Sequence, residues 1–189
     1  MHKSSDPINK YRQRYSLAHL SALALPPHEL IDLAIATGYD HVGVRLLPPA
    51  PGIAFYPIMD DASQLKEVMA RLADHPNVVW DVEVIRLTPN FKVDALEPAI
   101  ACAQKIGARA VLVSAGPVED PMELAQYFSD FCELAASWGL TANVEFMPWT
   151  PVPDLSAALA LIKNAGSPAN ARVLADTIHV ERSRTTSRD

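Results

Sequence analysis

Two acids and a histidine, each at the end of a strand-like segment, have the residue types and spacing to do chemistry in this sequence. Glu145 closes Asn143-Val144-Glu145-Phe146, and Asp176 opens Asp176-Thr177-Ile178-His179. Carboxylates and imidazoles hold divalent cations, and an imidazole moves protons near neutral pH. Between Glu145 and Asp176 lie a Pro-rich turn, a helical pattern and a return through Gly166, which together make one strand, helix, strand unit. Parallel strands joined in this way end side by side at the same edge of a sheet. Glu145 and Asp176 are therefore expected to be neighbours, with His179 one short turn beyond.

The elements that must position these groups repeat one pattern along the chain. Strand-like runs cover residues 15–20, 41–46, 78–87, 109–114, 141–146 and 172–176. Helical spacing of apolar residues covers 26–38, 61–72, 94–106, 122–138 and 155–164, with Gly38, Gly107, Gly139 and Gly166 at or after the helix ends. Strands alternating with helices are the rhythm of a parallel sheet. The chain divides into a polar N-terminal segment (1–14), one α/β domain (15–181) and a polar tail (182–189) in which Arg182, Arg184 and Arg188 bunch together. Helices stop at glycine and strands run into Pro-bearing loops, so the irregular loops fall at the C-terminal ends of the strands, where such folds place their sites. The stretch after the first strand, residues 21–26, has no glycine, which argues against a dinucleotide-binding fold.

Side chains alternate along a strand, which sorts the rest of the chemistry. Asp81, Glu83 and Ile85 share one face of the third strand and Trp80, Val82 and Val84 the other; Asn143 and Glu145 lie opposite Ala142, Val144 and Phe146 on the fifth. The apolar face is expected under the helices. Asp81, Glu83, Asn143, Glu145 and Asp176 then point inward, with Arg45 and His19 from the first two strands. Converging carboxylates are costly to bury without compensation. A divalent cation supplies it, and internal ion pairs through Arg45, Arg86 and Arg109 are the alternative; the inward acids outnumber the inward bases. Phe55, Tyr56, Phe91 and Trp149 sit in the loops that form the mouth.

On the repeated βα units, and on Asp81-Val82-Glu83, Asn143-Val144-Glu145-Phe146 and Asp176-Thr177-Ile178-His179, the sequence resembles the sugar-phosphate isomerase/epimerase family, the xylose-isomerase-like TIM barrels. The resemblance runs from about residue 15 to 186. It implies an α/β fold of (β/α)-barrel type with about six of eight βα units, since a full barrel typically needs about 250 residues. It further implies a divalent metal (Mn²⁺, Mg²⁺, Co²⁺ or Zn²⁺, weakly held) on Glu145 and Asp176, with Glu145 also catalytic as a proton-transfer group. His179 and Glu83 are the implied substrate contacts, to which the inward position of Arg45 and the place of Trp149 in a mouth loop add two more expected ones. The implied chemistry is isomerisation or epimerisation of a sugar, sugar phosphate or keto-polyol, by proton abstraction next to a carbonyl through an enediolate. A dehydratase of the same fold acting on a cyclic keto-polyol or dehydroshikimate is one alternative. A shortened, inactive relative serving as an interaction module is another, because the strands that supply two further metal ligands in the family have no counterpart here.

Composition narrows the classes further. A net charge of −6 argues against nucleic-acid and membrane-surface partners, neither of which a polyanion attracts, and against a three-metal DNA-repair endonuclease of the same fold. Cys102 and Cys132, each in an apolar helical pattern, read as buried thiols in a reducing compartment, and residues 1–15 lack the apolar run of a signal peptide. The expected protein is cytoplasmic and soluble. It is also expected to form a homo-oligomer through an exposed sheet edge, because six units leave the first and sixth strands unpaired on one side.

Overall fold

The computed structural model describes residues 13–183. Six strands and six helices alternate: β1 (Ser16–Leu17), α1 (Pro27–Thr37), β2 (His41–Arg45), α2 (Ala62–Asp74), β3 (Val79–Leu87), α3 (Glu97–Lys105), β4 (Ala110–Ala115), α4 (Pro121–Ser137), β5 (Thr141–Glu145), α5 (Leu155–Asn164), β6 (Ala171–Leu174) and α6 (Thr177–Ser183). The strands form one sheet in the order β1 to β6, every pair parallel, with β1 and β6 as its edges. The segment before residue 13 and the tail beyond 183, including Arg184 and Arg188, lie outside the described residues.

Local chemistry sets the helix ends. Asp61 accepts hydrogen bonds from the Ser63 and Gln64 N–H groups, Asp120 from Met122 N–H and Asp154 from Ala157 N–H, satisfying donors that the first turn of a helix leaves open. Gly38 ends α1 in the left-handed region at φ 80° and donates back into the last turn. Val42, Val44, Val82, Val111, Val113, Ala142 and Val144 are at most 1% exposed. They join Leu30, Ile31, Ile100, Phe128 and Phe131 of the helices in one core. Each such large side chain contributes about 1.5–3 kcal/mol on burial, and this layer fixes which strand face is left for chemistry. Cys102 and Cys132 are free and buried, which raises their thiols to about 11 and about 12 and keeps them protonated. No helix among the described residues is long and apolar enough to cross a membrane.

Four expectations need correction. The first strand is two residues long, and His19–Ala22 is a 3-10 turn instead of its continuation; the His19 ring is drawn inward by hydrogen bonds described below. The third helix starts at Glu97 after a separate 3-10 turn, Val93–Leu96. Pro98 explains this, because it has no N–H to give and is tolerated only in the first turn. His179, expected one short turn beyond the strand, sits within a helix, α6: Asp176 Oδ1 accepts the Ile178 N–H at 2.7 Å and so starts that helix directly after β6. Finally, Ile85 belongs to the core and not to the inward face. The β3–β4 register shifts between Val82 and Ile85, which sets Ile85 opposite Val113 and Arg86 opposite Ser114.

Candidate metal and proton-transfer site

Register neighbours in a parallel sheet share a face, so the inward face can be read across the strands. Gly43 lies opposite Asp81 and Arg45 opposite Glu83; Arg86 lies opposite Ser114, Ser114 opposite Glu145, and Glu145 opposite Leu174. Two groups of polar side chains occupy this face, and they differ in how far their hydrogen bonds are met.

The first group is closed. Glu83, 5% exposed, accepts from the His19 backbone N–H at 2.7 Å through Oε1 and from Arg45 Nη2 at 2.9 Å through Oε2. His19 is fully buried; its Nδ1 accepts from the Arg45 backbone N–H at 2.9 Å, and its Nε2 lies 2.9 Å from the Leu25 carbonyl. That pattern fixes a neutral ring donating from Nε2, and burial holds its pKa below the ordinary value. Tyr56 stacks on the ring at 5.1 Å and donates its hydroxyl to Leu23 O. Fully buried and with both ring nitrogens taken, His19 has none to offer a ligand. Arg45 Nε is the one atom of this group that is buried without a partner.

The second group is open. Glu145 is 8% exposed and His179 7%, yet among the described residues neither side chain makes a hydrogen bond. His179 Nε2 stands 3.8 Å from Glu145 Oε1 and 4.0 Å from Asp176 Oδ2, and its Nδ1 is buried without a partner. Asp176 has Oδ1 committed to the α6 cap and Oδ2 turned toward the imidazole. Trp149, 63% exposed, meets the His179 ring edge-on at 5.0 Å. Burial, then the charges of Asp176 and Glu83, raise the Glu145 carboxyl to about 7. Asp81 lies below on the same face and is raised to about 7, first by burial and then by Glu83.

Of the sequence-predicted residues, Glu145, Asp176, His179 and Trp149 come together, whereas Glu83 and Arg45 pair with each other in the closed group. Of the ion pairs that are the alternative to a cation, the one through Arg45 forms, and those through Arg86 and Arg109 do not form among the described residues. Arg109 bonds Asn77 and lies over Trp80, and Arg86 is exposed and unpaired. Ser114, 6% exposed and opposite Glu145, was missed as a site residue. Its signal is only its place at the end of a strand.

The open group suits a divalent cation. Ligand bonds of about 2.0–2.2 Å put two donors on one ion roughly 3–4 Å apart. One atom each of Glu145, Asp176 and His179 lies within 4.8 Å of the others, with the imidazole Nε2 at 3.8 and 4.0 Å from the two carboxylates. That donor set, hard oxygens with one imidazole, is suited to Mn²⁺, Mg²⁺, Co²⁺ or Zn²⁺.

No protein-family model and no curated protein matches the sequence. Solved structures do. A xylose isomerase domain-containing protein from Salmonella typhimurium LT2 superposes with a TM-score of 0.73 at 20% identity, over 93% of this chain and 66% of that one. A D-psicose 3-epimerase in the presence of D-fructose gives 0.72 at 12% identity over 92% and 67%, and an IolI protein with a bound zinc atom gives 0.69 at 14% over 92% and 66%. The fold is that of the xylose-isomerase-like TIM barrels. This chain spans about two thirds of the length of these structures. In such barrels the site lies at the C-terminal ends of the strands, and here the open group stands at the ends of β5 and β6. The closed group ties the 3-10 turn after β1 to the ends of β2 and the middle of β3.

Proposed function

We propose that the chain carries a divalent-metal-dependent isomerase or epimerase activity on a sugar, sugar phosphate or keto-polyol, by proton removal next to a carbonyl. One observation supports this above the others. A buried carboxylate, a second acid and a buried imidazole converge at the strand ends of a xylose-isomerase-like barrel, and neither the Glu145 nor the His179 side chain makes a hydrogen bond among the described residues. Buried polar groups are normally satisfied, and an unsatisfied set points to a ligand.

Glu145 and Asp176 would hold the ion, with His179 Nε2 beside both carboxylates as a third donor or a contact for a substrate oxygen. The bound cation would supply electrostatic stabilisation of negative charge developing on the substrate's carbonyl and neighbouring hydroxyl oxygens. The Glu145 carboxyl is raised to about 7 in the metal-free protein; a cation held beside it would keep it ionised, the form that can take a proton from the carbon next to the carbonyl. Trp149 shields the imidazole edge and offers an apolar wall to a sugar ring. Arg45 and Glu83, tied to each other, hold the floor rigid beneath.

Proton exchange tests this without knowing the product. Incubated with Mn²⁺ and a panel of ketoses and keto-polyols in D₂O, the protein is expected to wash deuterium into the carbon next to the carbonyl, detected by NMR, and Glu145→Gln to abolish it. Exchange that persists in Glu145→Gln, or is absent across the panel, overturns the reading.

A further inference from the structure

The register shift in β3 has a chemical consequence at the mouth. Continuing the alternation from Glu83 would turn Arg86 toward the helices. Instead Arg86 lies opposite Ser114, which lies opposite Glu145, so the arginine shares the inward face with the open group. Adjacent strands are about 4.8 Å apart, so Arg86 stands two strands, roughly 10 Å, from Glu145. The guanidinium is exposed and has no carboxylate partner among the described residues, in a chain whose acids outnumber its bases by 22 to 16.

A cleft of about 540 Å³ opens beside it, between the loop after β2 and the loop after β3. Its charged lining residues are Arg86 and Lys92, with no acid among them; Thr88 and Asn90 add neutral polar groups, and Pro48 and Phe91 stand among the apolar ones. Two unneutralised cations in a concave, partly apolar wall make a receptor for an anion, since a guanidinium binds phosphate or carboxylate with two parallel hydrogen bonds and an ammonium adds a point charge. The closed group cannot serve here, because its arginine is already paired.

We propose that Arg86 and Lys92 form an anion subsite, and that the substrate of the Glu145 centre is an acidic carbohydrate, one bearing a phosphate or carboxylate at the end away from its carbonyl. The second half of this statement rests on the proposed function; the first does not. One end of the substrate is fixed by the cation pair and the reacting carbon is set against Glu145, so binding energy from the unreacting end orients the carbon that loses its proton.

Thermal shift at constant ionic strength separates the parts. Inorganic phosphate and glycolate are titrated in metal-free buffer, and Mn²⁺ is titrated separately, on the wild type, Arg86→Gln, Lys92→Gln and Glu145→Gln. Arg86 is exposed and unpartnered, so its replacement leaves the fold intact, which the unliganded melting point checks. One of the two anions is expected to raise the melting point, and the stronger of them names the source of the charge. Arg86→Gln is expected to weaken that anion by about tenfold or more, the loss of a charge-assisted hydrogen bond. Lys92→Gln weakens it less, and Glu145→Gln leaves it in place while losing the Mn²⁺ shift. No shift with either anion, or a shift unchanged in Arg86→Gln, overturns the subsite. An anion shift that behaves as expected while Mn²⁺ gives none keeps the subsite and overturns the reaction centre instead.

Discussion

Two clusters on one sheet face use the same kinds of side chain and meet opposite fates. Around Glu83, an acid, an arginine and a histidine satisfy one another: both carboxylate oxygens accept, both imidazole nitrogens have partners, and only Arg45 Nε is left over. Around Glu145, that acid and a histidine are equally buried and make no side-chain hydrogen bond, and a half-buried second acid spends one oxygen on the α6 cap and turns the other toward the imidazole. The lesson is that residue type and burial do not tell a scaffold from a site. The hydrogen-bond account does, because a protein that leaves buried charge uncompensated destabilises itself unless a ligand compensates it.

Substitutions should split the two clusters, and the largest effect is expected in the closed one. Glu83→Ala leaves Arg45 buried without its partner and the His19 N–H without an acceptor. It should lower stability by about 3–5 kcal/mol in urea denaturation. Replacing Arg45 as well, as Arg45→Met with Glu83→Leu, should recover much of that loss. A loss under about 1 kcal/mol for Glu83→Ala would mean that the pair behaves as a surface ion pair and the contrast is false.

In the open cluster the sign reverses. The Glu145 carboxyl is raised from 4.5 to about 7 and that of Asp81 from 3.8 to about 7, so the folded state keeps protons that the unfolded chain has already lost. Metal-free stability should therefore fall as pH rises from about 4 to 7, with the penalty complete above that window. At pH 8 without metal, Glu145→Gln and Asp81→Asn should each leave stability unchanged or raise it, by on the order of 1–3 kcal/mol. Mn²⁺ affinity should rise over the same pH range, because the cation competes with the proton on Glu145. Denaturation curves at pH 5 and pH 8 check both signs; a wild type more stable at pH 8 than its Glu145→Gln variant would contradict them.

The smallest effect is expected at Tyr56. Tyr56→Phe keeps the stack on His19 and removes one hydrogen bond to Leu23 O, which should cost about 0.5–1.5 kcal/mol and leave Mn²⁺ binding untouched. A change in metal affinity there would show that the two clusters are coupled.

Much of this was legible in the sequence. The βα rhythm, the glycine stops and the strand-end positions of Glu145 and Asp176 follow from periodicity and turn chemistry, which act within a few residues. What was not legible depends on partners distant along the chain. His19 leaves the strand because Arg45 and Leu25 hold its ring. Arg86 changes face because the β3–β4 register slips, and no local pattern in Asp81-Val82-Glu83-Val84-Ile85-Arg86 announces the slip. Likewise Glu83 and Glu145, alike as inward acids by alternation, were separated only by counting the donors around each.

Metal binding at the open cluster is the central claim, and a thermal-shift titration tests it most directly. Mn²⁺, Mg²⁺, Co²⁺ and Zn²⁺ would be titrated into the wild type and into the Glu145→Gln, Asp176→Asn double variant, since an ion bound by the folded state alone raises the melting point. The account predicts a rise with at least one ion in the wild type and none in the double variant. A wild type indifferent to all four ions, or a double variant that responds as the wild type does, would contradict it.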